Sequence, residues 1–203
     1  MKHNNHDYVD LGLPSGTLWA TCNVGANSPE EYGNYYAWGE ATPKDNYDWD
    51  TYKLTTDGCT TFTKYNTDSN YGTVDNKTTL DPEDDAAAVN WAGKWRMPTD
   101  DEWTELHENC TWTWTSLNGV NGYEVKSKTN GNSIFLPAAG YRYYDILGLA
   151  GYDGYYWSSS LCTNIPRLAW FLGFYSDFIY GYYGNYRYYG QSVRPVCKKL
   201  LIR

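Results

Sequence analysis

The chain has 203 residues, a formal net charge of -8 at pH 7 and a pI of about 4.8. This length favours a single domain over residues 1–203, large enough to bury a core without disulfide support. The acidic balance argues against a nucleic-acid partner, because such partners are bound by clustered Lys and Arg. No run is apolar and long enough to span a membrane, and no signal peptide is visible at the start.

Aromatic residues dominate the composition, with 22 Tyr and 10 Trp. We therefore expect a core built largely from aromatic side chains, whose polar tips need hydrogen-bond partners. The five cysteines form no CxxC pair and have no His at metal-ligand spacing, so we predict neither a metal site nor a cofactor. Their odd number leaves at least one thiol free, and either all are free or one bridge forms.

The first part of the chain predicts short strands followed by an insertion. Strands are expected at 8–13 and 17–21, on either side of the turn Pro14-Ser15-Gly16. Residues 41–80 are polar and show little periodicity, so we interpret them as an insertion held down by its aromatic residues. Those residues are Trp49, Tyr52, Phe62 and Tyr65.

Two helices are predicted next. Asp81-Pro82 supplies a cap and a Pro at the first helical position, and Gly93 ends this helix. Thr99 and Glu102 have the spacing of a capping box for a second helix, which we expect to end near Asn109.

Strand patterns fill the remainder of the chain. Asn130-Gly131 predicts a hairpin between strands at 123–128 and 133–136. Further strands are expected at 155–158, 168–175 and 192–197, the last of which closes the sheet. The order of strands, two helices and then more strands implies an α+β fold with an antiparallel sheet.

The most unusual segment is 171–189, which reads FLGFYSDFIYGYYGNYRYY. It contains no Lys, Glu, Gln, Met or Trp, and its Tyr, Gly and Asn content resembles that of an antibody paratope. Tyr supplies large and stiff contact area at low entropic cost, while Gly and Asn adapt the backbone and its hydrogen bonds. The segment therefore indicates a binding protein rather than an enzyme.

Residue alternation in this segment predicts which side chains are framework. In a strand, Leu172 and Phe174 face the core, whereas Phe171, Gly173 and Tyr175 face outward. Beyond Ser176 the alternation is lost, so we expect a loop or irregular strand with turns at Gly181 and Gly184. Arg187 lies among these tyrosines, where it either stacks on them as a cation or acts as framework that pins this loop.

The predicted ligand-binding set is an exposed aromatic patch with polar members, joined by the loop before it. Asp177 and Asn185 would supply polar specificity, and exposed aromatic clusters of this size mark interaction sites. The alternative is an aromatic inner layer satisfied by its own contacts. The set consists of Asn164, Ile165, Phe171, Tyr175, Asp177, Phe178, Tyr180, Tyr182, Tyr183, Asn185, Tyr186, Tyr188 and Tyr189.

Six motifs spread along the chain carry a family resemblance. They are YVDLGLPSGTLWATCNVGA at 8–26, YAWGE at 36–40, GKWRMPTDDEW at 93–103, SIFLPAAGYR at 133–142, YYWSSS at 155–160 and SVRPV at 192–196. Together they resemble the C-type-lectin-fold family related to the formylglycine-generating enzyme, in a branch found in gut bacteria and their phages. The resemblance implies a C-type lectin fold with two helices and a small antiparallel sheet.

Within that family the chain resembles the variable proteins of diversity-generating retroelements. In those proteins, mutation of AAY codons to NNY codons diversifies a C-terminal segment, and NNY codons cannot encode Lys, Glu, Gln, Met or Trp. The resemblance implies a variable region at 161–189 that binds a protein or other surface ligand. It also favours the framework role for Arg187. It places the protein at a cell surface, outside the cell or on a phage particle, and leaves the oligomeric state open.

Catalytic patterns are scarce. The chain has three His, and His107 lies on a predicted helix without a second His or Cys to complete a site. Two alternatives stay open: a non-diversified structural or adhesive module, and an enzyme of the formylglycine-generating type. For the enzyme, Cys162 and Cys197 are the candidates for the family's reactive cysteine pair, although their spacing does not match a local pair.

Overall fold

The structure, a computed structural model, describes residues 1–199 apart from the side chain of Tyr182. Two short α-helices, α1 (Ala86–Trp91) and α2 (Asp100–Asn109), and a 3-10 helix (Ser69–Tyr71) interrupt a chain made mostly of strands. The strands are β1 (Lys2–His3), β2 (His6–Asp10), β3 (Thr17–Ala20), β4 (Cys110–Leu117), β5 (Val120–Ser127), β6 (Ser133–Pro137), β7 (Tyr141–Tyr143), β8 (Ile146–Gly148), β9 (Asp153–Leu161), β10 (Leu168–Tyr175), β11 (Phe178–Tyr186) and β12 (Val196–Lys198).

These strands form four antiparallel sheets. Their orders are β1-β2-β3-β12, β11-β10-β9, β4-β5-β6 and β7-β8. The expected α+β fold, C-type-lectin-like with two helices and a small sheet, is therefore wrong: this is a β-rich fold. The sequence prediction missed β1, β4, β7 and β8. Strands β1, β7 and β8 have only two or three residues each, too few for a period to show, and they form through cross-strand pairing. In β4 the alternation of Trp112 and Trp114 with Thr is present in the sequence and was overlooked.

Pairing between the two ends of the described chain closes the first sheet. Val196 in β12 lies opposite Trp19 in β3, and Arg96 bridges to Val196 from the other side. The prediction that the last strand closes a sheet is confirmed, although that strand begins at Val196 rather than at residue 192.

The helix signals are confirmed for α2 and corrected for α1. Thr99 and Glu102 form the predicted capping box. The cap of α1 is Asp85 rather than Asp81, because the Asp85 carboxylate accepts hydrogen bonds from the backbone N–H groups of Ala87 and Ala88. The same carboxylate accepts a third hydrogen bond from the N–H of Met97, and burial raises its pKa.

The core is aromatic, as its composition predicts. Its largest fully buried side chains include Trp19, Trp38, Trp95 and Trp157. Two apolar clusters pack on opposite faces of the β9–β11 sheet, so β10 is a central strand covered on both sides. A third cluster lies beneath the 41–80 insertion, where Tyr52 and Phe62 are buried as expected.

Candidate functional site

The strand β10 holds the site in place from within the core. Leu172 and Phe174 are buried, as predicted. Phe171 is only 5% exposed, so the expectation that it faces solvent is wrong. The residue does point to the face opposite Leu172, but a second apolar cluster that contains Trp157 covers that face.

The strand β11 follows β10 after a turn at 176–177, with Phe178 opposite Tyr175. Of the two predicted alternatives, the irregular strand is confirmed and the loop is wrong: β11 is a strand whose register against β10 shifts between Tyr180 and Tyr183. The expected turns at Gly181 and Gly184 are also wrong, because both glycines lie inside this strand. Pairing with β10 gives hydrogen-bond partners to the backbone groups on one side of this stretch. The local sequence does not show which strand provides these partners.

The structure divides the predicted ligand-binding residues by exposure, and the side chain of Tyr182 lies outside the described part. Phe171 and Tyr188 are buried, so their placement on an exposed patch is wrong. Half-buried members are Tyr180, Asn185 and Tyr189. Exposed members are Asn164, Ile165, Tyr175, Asp177, Phe178, Tyr183 and Tyr186, among which Tyr183 is 63% and Phe178 53% exposed.

The aromatic rings form a connected band, here called the aromatic ribbon. It consists of Trp49, Tyr141, Tyr143, Tyr144, Tyr155, Tyr175, Phe178, Tyr180, Tyr183, Tyr186, Tyr188 and Tyr189. Along β11, the rings of Phe178 and Tyr180 are stacked with centroids 6.2 Å apart, and Tyr180 lies 6.4 Å from Tyr155. Edge-to-face and offset contacts of this kind stabilise each pair by about 0.5–1.5 kcal/mol beyond area burial.

The other half of the ribbon comes from the β7–β8 hairpin and the insertion. Tyr141 lies 5.0 Å from Tyr155 and 5.5 Å from Tyr189, measured between ring centroids. Trp49, from the insertion, lies 4.8 Å from Tyr188. The ribbon therefore connects four chain segments, namely the insertion, the β7–β8 hairpin, β9 and residues 175–189, so the candidate site is wider than the 161–189 region.

The hairpin contribution was missed by the sequence prediction. Tyr144 and Leu149 have φ of +51° and +56°, which is uncommon for bulky residues and typical of positions under local strain. The run YRYYDILGLAGY at 141–152 is aromatic and apolar with interspersed Gly, like 171–189, and this signal could have identified it. Its exposed members are Tyr144, Ile146, Leu147, Leu149 and Tyr152.

Arg187 anchors the end of β11 inside the protein. Its guanidinium is fully buried, lies 4.5 Å from the Phe62 ring centroid and 4.9 Å from that of Trp38, and donates to the Tyr52 hydroxyl at 2.9 Å. It also donates to the carbonyl of Pro166 at 3.0 Å. The prediction that Arg187 is framework is confirmed.

The phenols in the ribbon interior are neutral hydrogen-bonding groups. Burial raises the pKa of Tyr155, Tyr180 and Tyr189 above the ordinary value of 10.0. The Tyr155 hydroxyl donates to the Asp153 carboxylate at 3.2 Å, and burial raises the pKa of Asp153. The ribbon therefore presents apolar rings with donor hydroxyls at physiological pH.

Two other groups of side chains could in principle carry chemistry: a cluster of three carboxylates and the cysteine thiols. Asp81, Glu83 and Asp84 lie close enough to share a cation, but Lys64 Nζ already lies within 3.1 Å of a carboxylate oxygen of each. All five cysteines are free, and burial raises the pKa of the Cys162 and Cys197 thiols. Both shifts oppose thiolate formation.

Comparison with known proteins finds a family model that matches part of the chain. Residues 116–196 match a family model described as a domain of unknown function, DUF8237. No curated protein and no solved structure matches the chain. The matched region includes β5 to β11 and thus most of the ribbon. Among residues 1–199, no helix has the length and apolar content needed to cross a membrane.

Proposed function

We propose that the protein is a non-enzymatic ligand-binding protein whose tyrosine-rich face is diversified to recognise varied surface ligands, primarily proteins. One observation carries the proposal: Tyr175, Phe178, Tyr183 and Tyr186 lie exposed on a hairpin whose framework residues are buried. Exposed aromatic area of this kind supplies most of the binding energy at protein interfaces. The resemblance to retroelement variable proteins supports the same function.

The division between framework and surface suits diversification. Leu172 and Phe174 are anchored in one core cluster and Phe171 in the other. Arg187 secures the C-terminal end of the strand. Tyr183 and Phe178 are more than half exposed, so a change of either residue costs the fold mainly its ring contacts along the ribbon, about 0.5–1.5 kcal/mol for each pair.

A binding role fits the chemistry better than an enzyme of the formylglycine-generating type. The two candidate cysteines are buried, and their thiol pKa values are raised. A protein that recognises surface ligands would act at a cell surface or on a phage particle, and we include that location in the proposal.

The alternative is a non-diversified adhesive or structural module. The buried Tyr188 and half-buried Tyr180 and Tyr189 favour it, because part of the tyrosine content stabilises the protein itself.

Sequencing this gene and its neighbours from many isolates tests the proposal. We expect substitutions to concentrate at exposed positions such as Tyr175, Phe178 and Tyr183, at AAY-derived codons, with a template repeat and a reverse transcriptase nearby. The buried positions Phe171 and Arg187 are the internal control and should stay unchanged. Substitutions scattered evenly over the gene, without a template repeat, would contradict diversification and favour the alternative module.

A further inference from the structure

The outer edge of β11 is an open strand edge. In its sheet β11 is terminal, and among residues 1–199 no strand pairs with its outer side. Proteins usually protect such edges with Lys, Pro or a covering element, since unpaired N–H and C=O groups recruit other strands. Residues 178–186 contain neither Lys nor Pro.

A groove of about 450 Å³ runs along this edge. One wall is His107 of α2, which is exposed and packs edge-on against Trp112. The other wall is β11, represented by Phe178, Ile179, Tyr180, Gly181 and Tyr183. The register of β11 against β10 shifts between Tyr180 and Tyr183, so the contacts of each residue, rather than strict alternation, assign its face. Tyr180 packs against one core cluster and Ile179 against the other, so a cavity lined by both follows the edge of the strand rather than one face.

Space and charge at the groove define its occupant. A Cβ at Gly181 would meet no atom within 4 Å, so the groove is open beside the middle of β11. Asp100 lines an adjoining depression together with His107 and Gly181, and Asp177 is exposed at the entry to β11. Within residues 1–199 no Lys or Arg lines the groove, and the chain carries a net charge of -8.

We propose that the edge of β11 binds an extended, positively charged peptide segment of a partner protein as an added strand between β11 and α2. This proposal rests on the proposed ligand-binding function and identifies the partner class. Main-chain hydrogen bonds to β11 supply affinity, and side chains that alternate between the aromatic ribbon and α2 supply specificity. Asp100 and Asp177 favour Lys and Arg in the segment.

The first test pans a random 12-residue peptide library on the full chain and measures the affinity of the enriched peptides by fluorescence anisotropy. We expect enriched peptides with a net positive charge. N-methylation of every second amide should weaken binding by about tenfold, since each such methyl removes one hydrogen bond to β11. Methylation of the intervening amides should change the affinity by less than about threefold.

Variants of the protein test the location. Gly181→Trp should fill the groove and weaken peptide binding by at least about tenfold. The matched control is Val89→Trp, which adds a Trp at an exposed position of α1 outside the groove. Circular dichroism and thermal unfolding confirm that both variants fold.

Three outcomes overturn the edge proposal. They are the absence of any enriched peptide, enrichment of acidic peptides, and an equal loss of affinity whichever alternate set of peptide amides is methylated. A loss of binding in the Val89→Trp control would also overturn it. In each case the isolate sequences still decide whether the ribbon is diversified, so failure of the edge proposal is distinguishable from failure of the proposed function.

Discussion

At the scale of single residues, the buried guanidinium groups are the costliest feature of this protein. Arg187 and Arg194 are both fully buried, and in the part of the chain that the structure describes no carboxylate lies in hydrogen-bond contact with either. Arg194 donates to the side chain of Asn23 and to the carbonyls of Ala20, Thr21 and Phe135. Carbonyl dipoles, and aromatic rings around Arg187, thus compensate for the lost hydration.

Removal of the Arg187 side chain should destabilise the protein strongly. Arg187→Ala leaves buried carbonyls and the Tyr52 hydroxyl without their donor and opens a cavity, so we expect a loss of about 3 kcal/mol or more. Urea unfolding measures this loss. The control is Arg167→Ala, because Arg167 lies 5.9 Å above the Tyr186 ring and is half-buried. Arg167→Ala should lower the free energy of unfolding by less than about 1 kcal/mol. Equal decreases in the two variants would contradict the anchoring role of Arg187.

At the scale of elements, the β10–β11 hairpin depends on one close approach. Gly173 lies opposite Tyr180, and a Cβ at position 173 would lie 2.3 Å from Cε2 of that ring. The absence of a side chain at this position lets the Tyr180 ring cross β10 and reach Phe171 and Tyr155.

Two glycines in the same hairpin should therefore respond differently to substitution. Gly173→Ala should push the Tyr180 ring out of the ribbon and destabilise the fold by about 1–3 kcal/mol, the usual cost of overpacking. Gly181→Ala should change stability by less than about 0.5 kcal/mol, because its Cβ would point into open space. Urea midpoints of the two variants give the comparison, and equal shifts would show that the Tyr180 contact is not the cause.

At the scale of the whole molecule, Glu102 connects the helix layer to the sheet that joins the two ends of the described chain. Its carboxylate accepts two hydrogen bonds from Arg96 at 2.7 Å and one from Thr17 of β3 at 2.9 Å. Lys198 of β12 lies 3.2 Å away. Burial raises the pKa of Glu102, but the hydrogen bonds and charge of Arg96 outweigh burial and lower the pKa to about 2.

This carboxylate should make stability depend on pH in acid. A folded-state pKa below the ordinary value of 4.5 means that the ionised form stabilises the fold. The contribution is complete above about pH 4.5 and is lost as the pH falls towards about 2. Glu102→Gln should lower the free energy of unfolding by about 3 kcal/mol at pH 7. It should also reduce the change of that free energy with pH between about pH 4.5 and about pH 2.

Urea unfolding from pH 7 to pH 2 measures that dependence. The control is Glu108→Gln, a substitution of an exposed residue on the same helix, which should follow the wild-type curve. If the free energy of unfolding of Glu102→Gln falls with pH as steeply as that of the wild type, other carboxylates control acid unfolding.

The sequence by itself determined the local features. The capping box of α2, the aromatic core, and the burial of Leu172 and Phe174 all follow from short-range signals or composition. Each of these features depends on the chemistry of a residue or on residue spacing within one element. Such local properties do not depend on how distant parts of the chain pack together.

Only the tertiary structure decided the balance between strand and helix and the extent of the site. The segment 178–186 has no clear alternation, and it becomes a strand because β10 supplies its hydrogen bonds. Phe171 is buried because a second core cluster covers the face that alternation predicts to be outward. Tyr141 joins the ribbon through contacts with Tyr155 and Tyr189. These outcomes depend on contacts between distant parts of the chain, and local sequence patterns contain no record of such contacts.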